Sequence, residues 1–319
     1  MRYRRLGRAG MQVSEVSLGS WLTYGGGVAE QTARDCVRAA YVAGINFFDT
    51  ANVYARGEAE KVVGGALKEY PRDTLVVATK VYFPMREGPN GSGLSRKHIR
   101  EQCDLSLQRL GMDYIDLYQC HRWDANTPVE ETILALEDLV KAGKILYYGV
   151  SEWTAWQIAE GMRVATERGL YGMVSNQPYY NMLGRKIEQD VIPLSERMGI
   201  GQVVFSPLAQ GVLTGKYQPG QPAPEDSRAA DPKQNAFMSP GQGNMSDETL
   251  TRVQNLKPVA ERLGLSLAQL AVAWILRQKN ISSVIVGASR PEQVRDNAAA
   301  VGHDLPEEML AEIDTILGV

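Results

Sequence analysis

The sequence predicts a (β/α)8 TIM barrel. Short β-rich runs alternate with amphipathic helical segments from one end to the other, the pattern of parallel βα units rather than of a sandwich or a helical bundle. Eight such units can be counted, and helix start and stop signals fall at their boundaries. The chain has 319 residues, more than the about 250 usual for such a barrel, so residues 1–319 are read as one domain with room for long loops at the barrel mouth.

The elements follow in order. Residues 2–6 and 11–13 flank Gly7-Arg8-Ala9-Gly10, which predicts a small β-hairpin plugging one barrel end. Barrel strands are expected at 15–18, 47–49, 75–80, 114–119, 145–150, 174–177, 201–205 and 283–286. Helical periodicity lies between them, as at 30–44, 58–68, 95–110, 128–142 and 154–168. Thr127 offers a capping hydroxyl before Pro128 at the first turn of its helix, and Gly143 stands at the far end. From 218 to about 245 the chain is rich in Pro, Gly, Gln and Ser and shows neither period. It reads as a long loop, and loops of that length in a compact domain serve as lids or binding loops.

An apolar share of 44% and a charged share of 22% are ordinary for a water-soluble globular chain. The net charge of -3, with Lys and Arg scattered among acids, gives no footprint for nucleic acid. The basic start at Arg2 has no apolar run behind it, and the longest apolar stretch, 267–276, is far short of a span of about 20 residues. A cytoplasmic protein without membrane insertion is expected. Cys36, Cys103 and Cys120 are odd in number and lack CxxC spacing, and no two of His98, His121 and His303 are helically spaced. Neither a disulfide framework nor a metal site is expected.

In a parallel barrel, polar residues at the C-terminal ends of the strands converge on one face, where catalysis sits. Here those ends carry Asp49, Lys80, His121 and Gln177, with Tyr54 a short loop beyond Asp49. A phenol with pKa about 10 is a poor proton donor near neutrality. Lys80 is expected to lower that value, Asp49 to hold Lys80 charged, and His121 to donate a hydrogen bond to a substrate carbonyl. Singly, each residue has a plain structural reading as a turn cap, a packed ring, a solvated end or a core histidine. Their conjunction at separate strand ends points to Tyr54 as a proton donor.

These residues resemble a known family, the aldo-keto reductases. Gly44-Ile-Asn-Phe-Phe-Asp-Thr-Ala-Asn-Val-Tyr54, Thr79-Lys80 and Cys120-His121 match that family's catalytic Asp, Tyr, Lys and His in order and approximate spacing. Within it the chain is similar to the branch holding the β-subunits of voltage-gated potassium channels and their bacterial reductase relatives. Leu18-Gly-Ser-Trp21, Ser206-Pro-Leu-Ala-Gln-Gly211, Leu213-Thr-Gly-Lys-Tyr217 and Val286-Gly-Ala-Ser289 carry this likeness. The channel-subunit branch tends to have Asn where this chain has His121, which favours a working reductase over a mainly regulatory module.

No GxGxxG follows a strand, and Gly241-Gln-Gly243 lacks the third glycine, so a Rossmann domain is not expected. The resemblance implies instead NADPH, in preference to NADH, lying extended across the barrel mouth. Ser151, Asn176 and Gln177 would hold the carboxamide, with Ser20, Trp21 and Asp49 nearby. Ser206, Pro207, Leu208 and Gly211 would hold the pyrophosphate, and Gly287, Ser289, Gln293, Asp296 and Asn297 the adenosine end. Lys216 and Arg228, with Ser289 and Gln293, suit the ribose phosphate. Glu152 stands where the channel-subunit branch carries a basic residue.

Trp21, Tyr82 and Trp123 are expected to wall a substrate pocket around Tyr54 and His121. The expected partner is a small-molecule aldehyde or ketone, and the resemblance implies a homo-oligomer, a tetramer or octamer. Two rival readings are a cofactor-bound, β-subunit-like regulator of a potassium channel with vestigial activity, and a Lys80 Schiff-base enzyme.

Overall fold

The computed structural model describes residues 1–26, 28–225, 227–231, 235 and 245–319. Strands β1 (Tyr3–Arg5) and β2 (Gln12–Ser14) pair antiparallel as the expected hairpin. Then come β3 (Val16–Gly19), β4 (Phe47–Asp49), β5 (Val76–Val81), β6 (Ile115–Cys120), β7 (Ile145–Ser151), β8 (Ser175–Gln177), β9 (Gly201–Val204) and β10 (Ile281–Gly287). These eight are parallel and close into a barrel in sequence order, with β10 pairing β3.

Around them lie α1 (Glu30–Val42), α2 (Glu58–Leu67), α3 (Arg96–Leu110), α4 (Val129–Lys141), α5 (Ala155–Glu167) and α6 (Val191–Met198). After β9 follow α7 (Asp247–Asn255), α8 (Lys257–Arg262) and α9 (Leu267–Leu276), and after β10 come α10 (Pro291–Ala298) and α11 (Glu307–Leu317). Helical periodicity places α1 to α5 within two residues at each end. Among the described residues no single helix is long and apolar enough to cross a membrane.

The barrel interior is packed at one end and polar at the other. Leu6, Ala9 and Val13 of the hairpin region join Phe47, Val76, Ala78, Leu117 and Val203 in one buried cluster. The hairpin therefore closes the end at which the strands begin. Gly7 makes that fit possible: its φ is +55°, and an added Cβ would stand 2.5 Å from the carbonyl oxygens of Gly199 and Val174. A second, larger cluster lies between the strands and the helices and includes Tyr118, Ile133, Tyr148 and Trp274.

Helix starts use local polar chemistry. Ser95 accepts from His98 N at the start of α3, and Thr154 with Gln157 and Ser266 with Gln269 form reciprocal capping boxes on α5 and α9. Thr127 does not cap as the sequence suggests. Pro128 holds the N-cap position of α4, and the Thr127 hydroxyl instead donates to Asp124 Oδ2 at 2.7 Å. That carboxylate also accepts from Leu94 N, and Asp124 Oδ1 accepts from Asn126 N, so a loop-organising aspartate has claimed the hydroxyl. Of the expected loop at 218–245, residues 226, 232–234 and 236–244, including the Gly241 and Gly243 pair, lie outside the described residues. Residues 218–225 and 227–231 contain neither α-helix nor strand.

Candidate active site

Strand register brings the first charged pair together. Asp49 lies beside Ala78 and Lys80 beside Gln119, so Asp49 and Lys80 both turn inward at the strand ends of neighbouring β4 and β5. Lys80 Nζ donates to Asp49 Oδ1 at 2.5 Å, to the Thr50 carbonyl at 2.8 Å and to the Tyr54 hydroxyl at 3.4 Å. Those bonds engage all three donors of the ammonium. Asp49 Oδ2 accepts from Gln177 Nε2 at 2.9 Å. Lys80 is 0% exposed, a placement a charge tolerates only when paired and hydrogen-bonded. Burial alone would pull its pKa down, but Asp49 and then Tyr54 outweigh it and hold the ammonium above the ordinary lysine value. An amine that keeps its proton is a poor nucleophile, which speaks against the Schiff-base reading.

Tyr54 is held by a strained turn. Backbone bonds from Thr50 N to Ala78 O and from Asn52 N to Lys80 O tie the segment after β4 to β5. Tyr54 then opens a short 3₁₀ segment, Tyr54–Gly57, in which Ala55 and Arg56 take φ of 47° and 54°. Left-handed backbone at non-glycine residues costs about 1–3 kcal/mol each and persists only where the surroundings over-determine it. Those surroundings include Gly57, where an added Cβ would meet Arg109 Cδ at 2.6 Å. Arg109 Nε in turn donates to the buried Glu60 carboxylate at 2.5 Å, and Thr79 Oγ1 donates to the same carboxylate at 2.6 Å.

The Tyr54 phenol does not follow the expected direction. Burial of its hydroxyl pushes the pKa up; Lys80 pulls it down, Asp49 adds to the rise, and Arg122 lowers it further, with a net value above the ordinary phenol. Lys80 therefore moderates the rise without reversing it.

His121 follows β6, its N–H donating to the Val81 carbonyl at 2.9 Å. Its ring meets the Tyr54 ring edge-on at a centroid distance of 5.7 Å and the Phe83 ring at 4.9 Å. Nδ1 is buried and has no hydrogen-bond partner among the described residues. Burial, then the Lys80 and Arg122 charges, hold the imidazole well below its usual pKa. It is therefore neutral near pH 7, with one ring nitrogen able to donate.

Two neighbours that the sequence reading passed over stand here. Phe83 packs on His121, and Arg122 lies with its guanidinium 5.5 Å from the Phe83 ring centre and Nη1 3.4 Å from Ser151 Oγ. Tyr82 packs against Phe83 at 5.2 Å. Trp123 meets Trp153 and Trp156 at 4.6 and 5.8 Å, and the Trp21 ring lies 5.8 Å from the Arg228 guanidinium.

Around this centre, Ser151 Oγ donates to the Gln177 carbonyl at 2.8 Å, so Ser151 and Gln177 adjoin. Asn176 is not brought to them. Successive strand residues face opposite sides, and Asn176 Nδ2 donates to its register partner Gln202 at 3.1 Å while Gln177 turns to Asp49. Glu152 takes φ 58°, and its carboxylate accepts from Tyr179 N at 2.6 Å. Ser20 Oγ donates to Thr50 Oγ1 at 2.9 Å.

After β9 the backbone turns tightly. Ser206, Ala209, Gln210 and Gly211 all have positive φ, Pro207 is buried, and the Leu208 carbonyl accepts from Gly211 N at 2.9 Å. Phe205, also unmarked by the sequence reading, presents its ring edge-on to Tyr179 at 5.8 Å. Lys216 is exposed, its ammonium 5.2 Å from the Tyr217 ring centre, whereas Arg228 is half-buried and burial lowers its pKa. After β10, a Cβ added to Gly287 would meet nothing within 4 Å. Ser289 N and Oγ donate to Gln293 Oε1 at 2.8 and 3.2 Å at the start of α10, and Asn297 is buried on the same helix. Asp296 is engaged elsewhere, its carboxylate accepting from Gln269 Nε2 at 2.8 Å between α9 and α10.

The sequence matches the Aldo/keto reductase family over residues 15–317. It is 45% identical over 304 residues to a protein of Oryza sativa subsp. japonica named "Probable voltage-gated potassium channel subunit beta", covering 94% of this chain and 91% of that one. An Arabidopsis thaliana protein of the same name is 44% identical over 304 residues with the same coverage. The "Putative voltage-gated potassium channel subunit beta" of Schizosaccharomyces pombe is 42% identical over 325 residues, covering 99% of this chain and 93% of its own. With the closed eight-stranded barrel and a match across nearly the whole chain, this protein belongs to the Aldo/keto reductase family.

Proposed function

We propose that the protein reduces aldehydes and ketones to alcohols with NADPH, Tyr54 giving the proton to the substrate oxygen. The observation that carries this reading is the Lys80 ammonium, fixed by Asp49 and Thr50 and directed at the Tyr54 hydroxyl.

The residues present fit a nicotinamide dinucleotide, the cofactor class this family generally uses. Arg228 is a half-buried cation with no carboxylate partner among the described residues, and the space at Gly287 is open. Ser151 and Gln177 would hold the carboxamide. The 206–211 turn would take the pyrophosphate, Ser289, Gln293 and Asn297 the adenosine end, and Arg228 with Lys216 the ribose phosphate. When bound, the cofactor supplies the hydride. Tyr54 then protonates the oxygen as negative charge develops on it, Lys80 stabilises the phenolate left behind, and neutral His121 orients the carbonyl by a hydrogen bond. Trp21, Tyr82 and Trp123 would border the pocket with Phe83.

The test is NADPH and NADH oxidation measured in parallel with 4-nitrobenzaldehyde, for the native protein and Tyr54→Phe. Loss of turnover in the variant with cofactor binding kept supports the assignment, whereas near-native turnover overturns it.

The names of the three relatives favour a second reading, in which the protein is a cofactor-binding partner of a potassium channel. A stable complex with a purified channel together with negligible turnover would select that reading.

A further inference from the structure

Arg122 is a cation that the chemistry above does not use. It follows His121 directly, is half-buried, and engages protein acceptors through Nη1 alone, at the His121 carbonyl (2.5 Å) and Ser151 Oγ (3.4 Å). Nε and Nη2 have no protein acceptor, and no carboxylate lies within 4.0 Å of the guanidinium, among the described residues. Arg228 apart, other partly buried arginines among the described residues are paired, as Arg4 is with Glu15, Arg72 with Asp116, Arg109 with Glu60 and Arg277 with Glu188. The Arg122 guanidinium lies over Phe83, whose ring packs on His121, so it stands one aromatic layer from the place assigned to the substrate carbonyl. A cation withdrawn from water without an anion is costly, and a planar fork with two unused donor positions suits a carboxylate.

We propose that Arg122 makes the barrel mouth selective for carbonyl substrates that carry a carboxylate, which its free Nε and Nη2 edge would bind while the carbonyl lies at Tyr54 and His121. This rests on the reductase reading given above. The phosphate-bearing end of the cofactor is assigned to Arg228 and Lys216 at the other side of the mouth, which leaves Arg122 for the substrate. Its charge also lowers the proton affinity of both His121 and Tyr54, so an anion seated on it would raise both.

The experiment compares 4-carboxybenzaldehyde with 4-nitrobenzaldehyde, two electron-poor aldehydes differing in charge, for the native protein, Arg122→Met and Arg122→Lys. The expected result is a ratio of kcat/KM (carboxy over nitro) that falls at least about tenfold in Arg122→Met, as loss of a charge-assisted bond requires, and is partly kept in Arg122→Lys. The native ratio should also fall as salt is raised. An equal loss for both aldehydes in both variants would show that Arg122 only props His121 and Ser151, and would overturn the proposal. Should the native protein reduce neither aldehyde, the reductase reading fails by itself. Quenching of tryptophan fluorescence by 4-carboxybenzoate then decides the anion site: saturable binding abolished in Arg122→Met upholds it, and unchanged or absent binding overturns it.

Discussion

Lys80 Nζ lies 3.4 Å from the Tyr54 hydroxyl, with its other two N–H groups engaged by Asp49 and Thr50. The cation cannot swing away, so it acts on the phenol from a fixed place. In the proposed reduction, burial would keep the proton on Tyr54 until an alkoxide competes for it, and Lys80 would steady the phenolate that follows. Replacing Lys80 with Met should therefore lower kcat by about 10²–10⁴-fold, with a smaller change in KM. It also leaves Asp49 buried without its cation, so urea denaturation should show a loss of about 3–5 kcal/mol. A variant that is destabilised yet keeps native kcat would separate the ion pair's structural role from any role in proton transfer.

The pH profile follows from the directions of the two shifts. Tyr54 is raised, so kcat/KM for carbonyl reduction should hold level through neutrality and decline only above the ordinary phenol value of about 10. His121 is held neutral by burial and the nearby cations, so no inflection should appear near the ordinary histidine value of about 6.5.

Stability responds in the acid range. The unfolded imidazole takes up a proton below about pH 6.5 while folded His121 does not, so the unfolded state binds more protons and stability falls as pH drops from that value towards the depressed folded one. The slope from this residue approaches about 1.4 kcal/mol per pH unit. His98, also lowered by burial, adds in the same sense. Denaturation at pH 7.5 and 5.5 should show a smaller acid loss in His121→Asn than in the native protein.

Much of this site is legible in the sequence because strand ends and residue parity are local properties. Asp49 and Lys80 each close a largely apolar run and Gln177 ends a short β-segment, and barrel register then aims them at one another. Parity also explains the placement of Asn176, one residue from Gln177 and so turned to the opposite face. Phe83 and Arg122 lie just past the strand ends, where loop backbone decides the aim of a side chain; their signal was only an aromatic and a cation beside residues already marked. The direction of the Tyr54 shift depends on how deeply its hydroxyl is buried, which neither spacing nor composition records. The Thr127 hydroxyl was claimed by Asp124, a competitor three residues away that the helix-start pattern ignores.

Choice of cofactor should depend on Arg228. It is half-buried over Trp21, and burial weakens its hold on its proton with no carboxylate partner among the described residues, so an extra phosphate gains most there. Arg228→Met should raise KM for NADPH about tenfold or more and change KM for NADH little, because only the former carries the additional phosphate. Equal losses for both cofactors would place Arg228 against the shared part of the dinucleotide.

The turn behind Tyr54 depends on an ion pair remote from the reacting atoms. Arg109, 14% exposed at its side chain, meets fully buried Glu60, and its stem fills the space that the missing side chain of Gly57 leaves. In Arg109→Met the Glu60 carboxylate would keep only the Thr79 hydroxyl, so stability should fall by about 3–5 kcal/mol. The left-handed residues Ala55 and Arg56 would lose their backing, and kcat should fall with little change in cofactor affinity, since the residues assigned to the dinucleotide lie on other strands. Adding Glu60→Gln removes the uncompensated charge, and much of the stability should return. If the double variant regains stability but not kcat, Arg109 positions the Tyr54 turn by packing on Gly57; if both return together, the ion pair acts only through the stability of the fold.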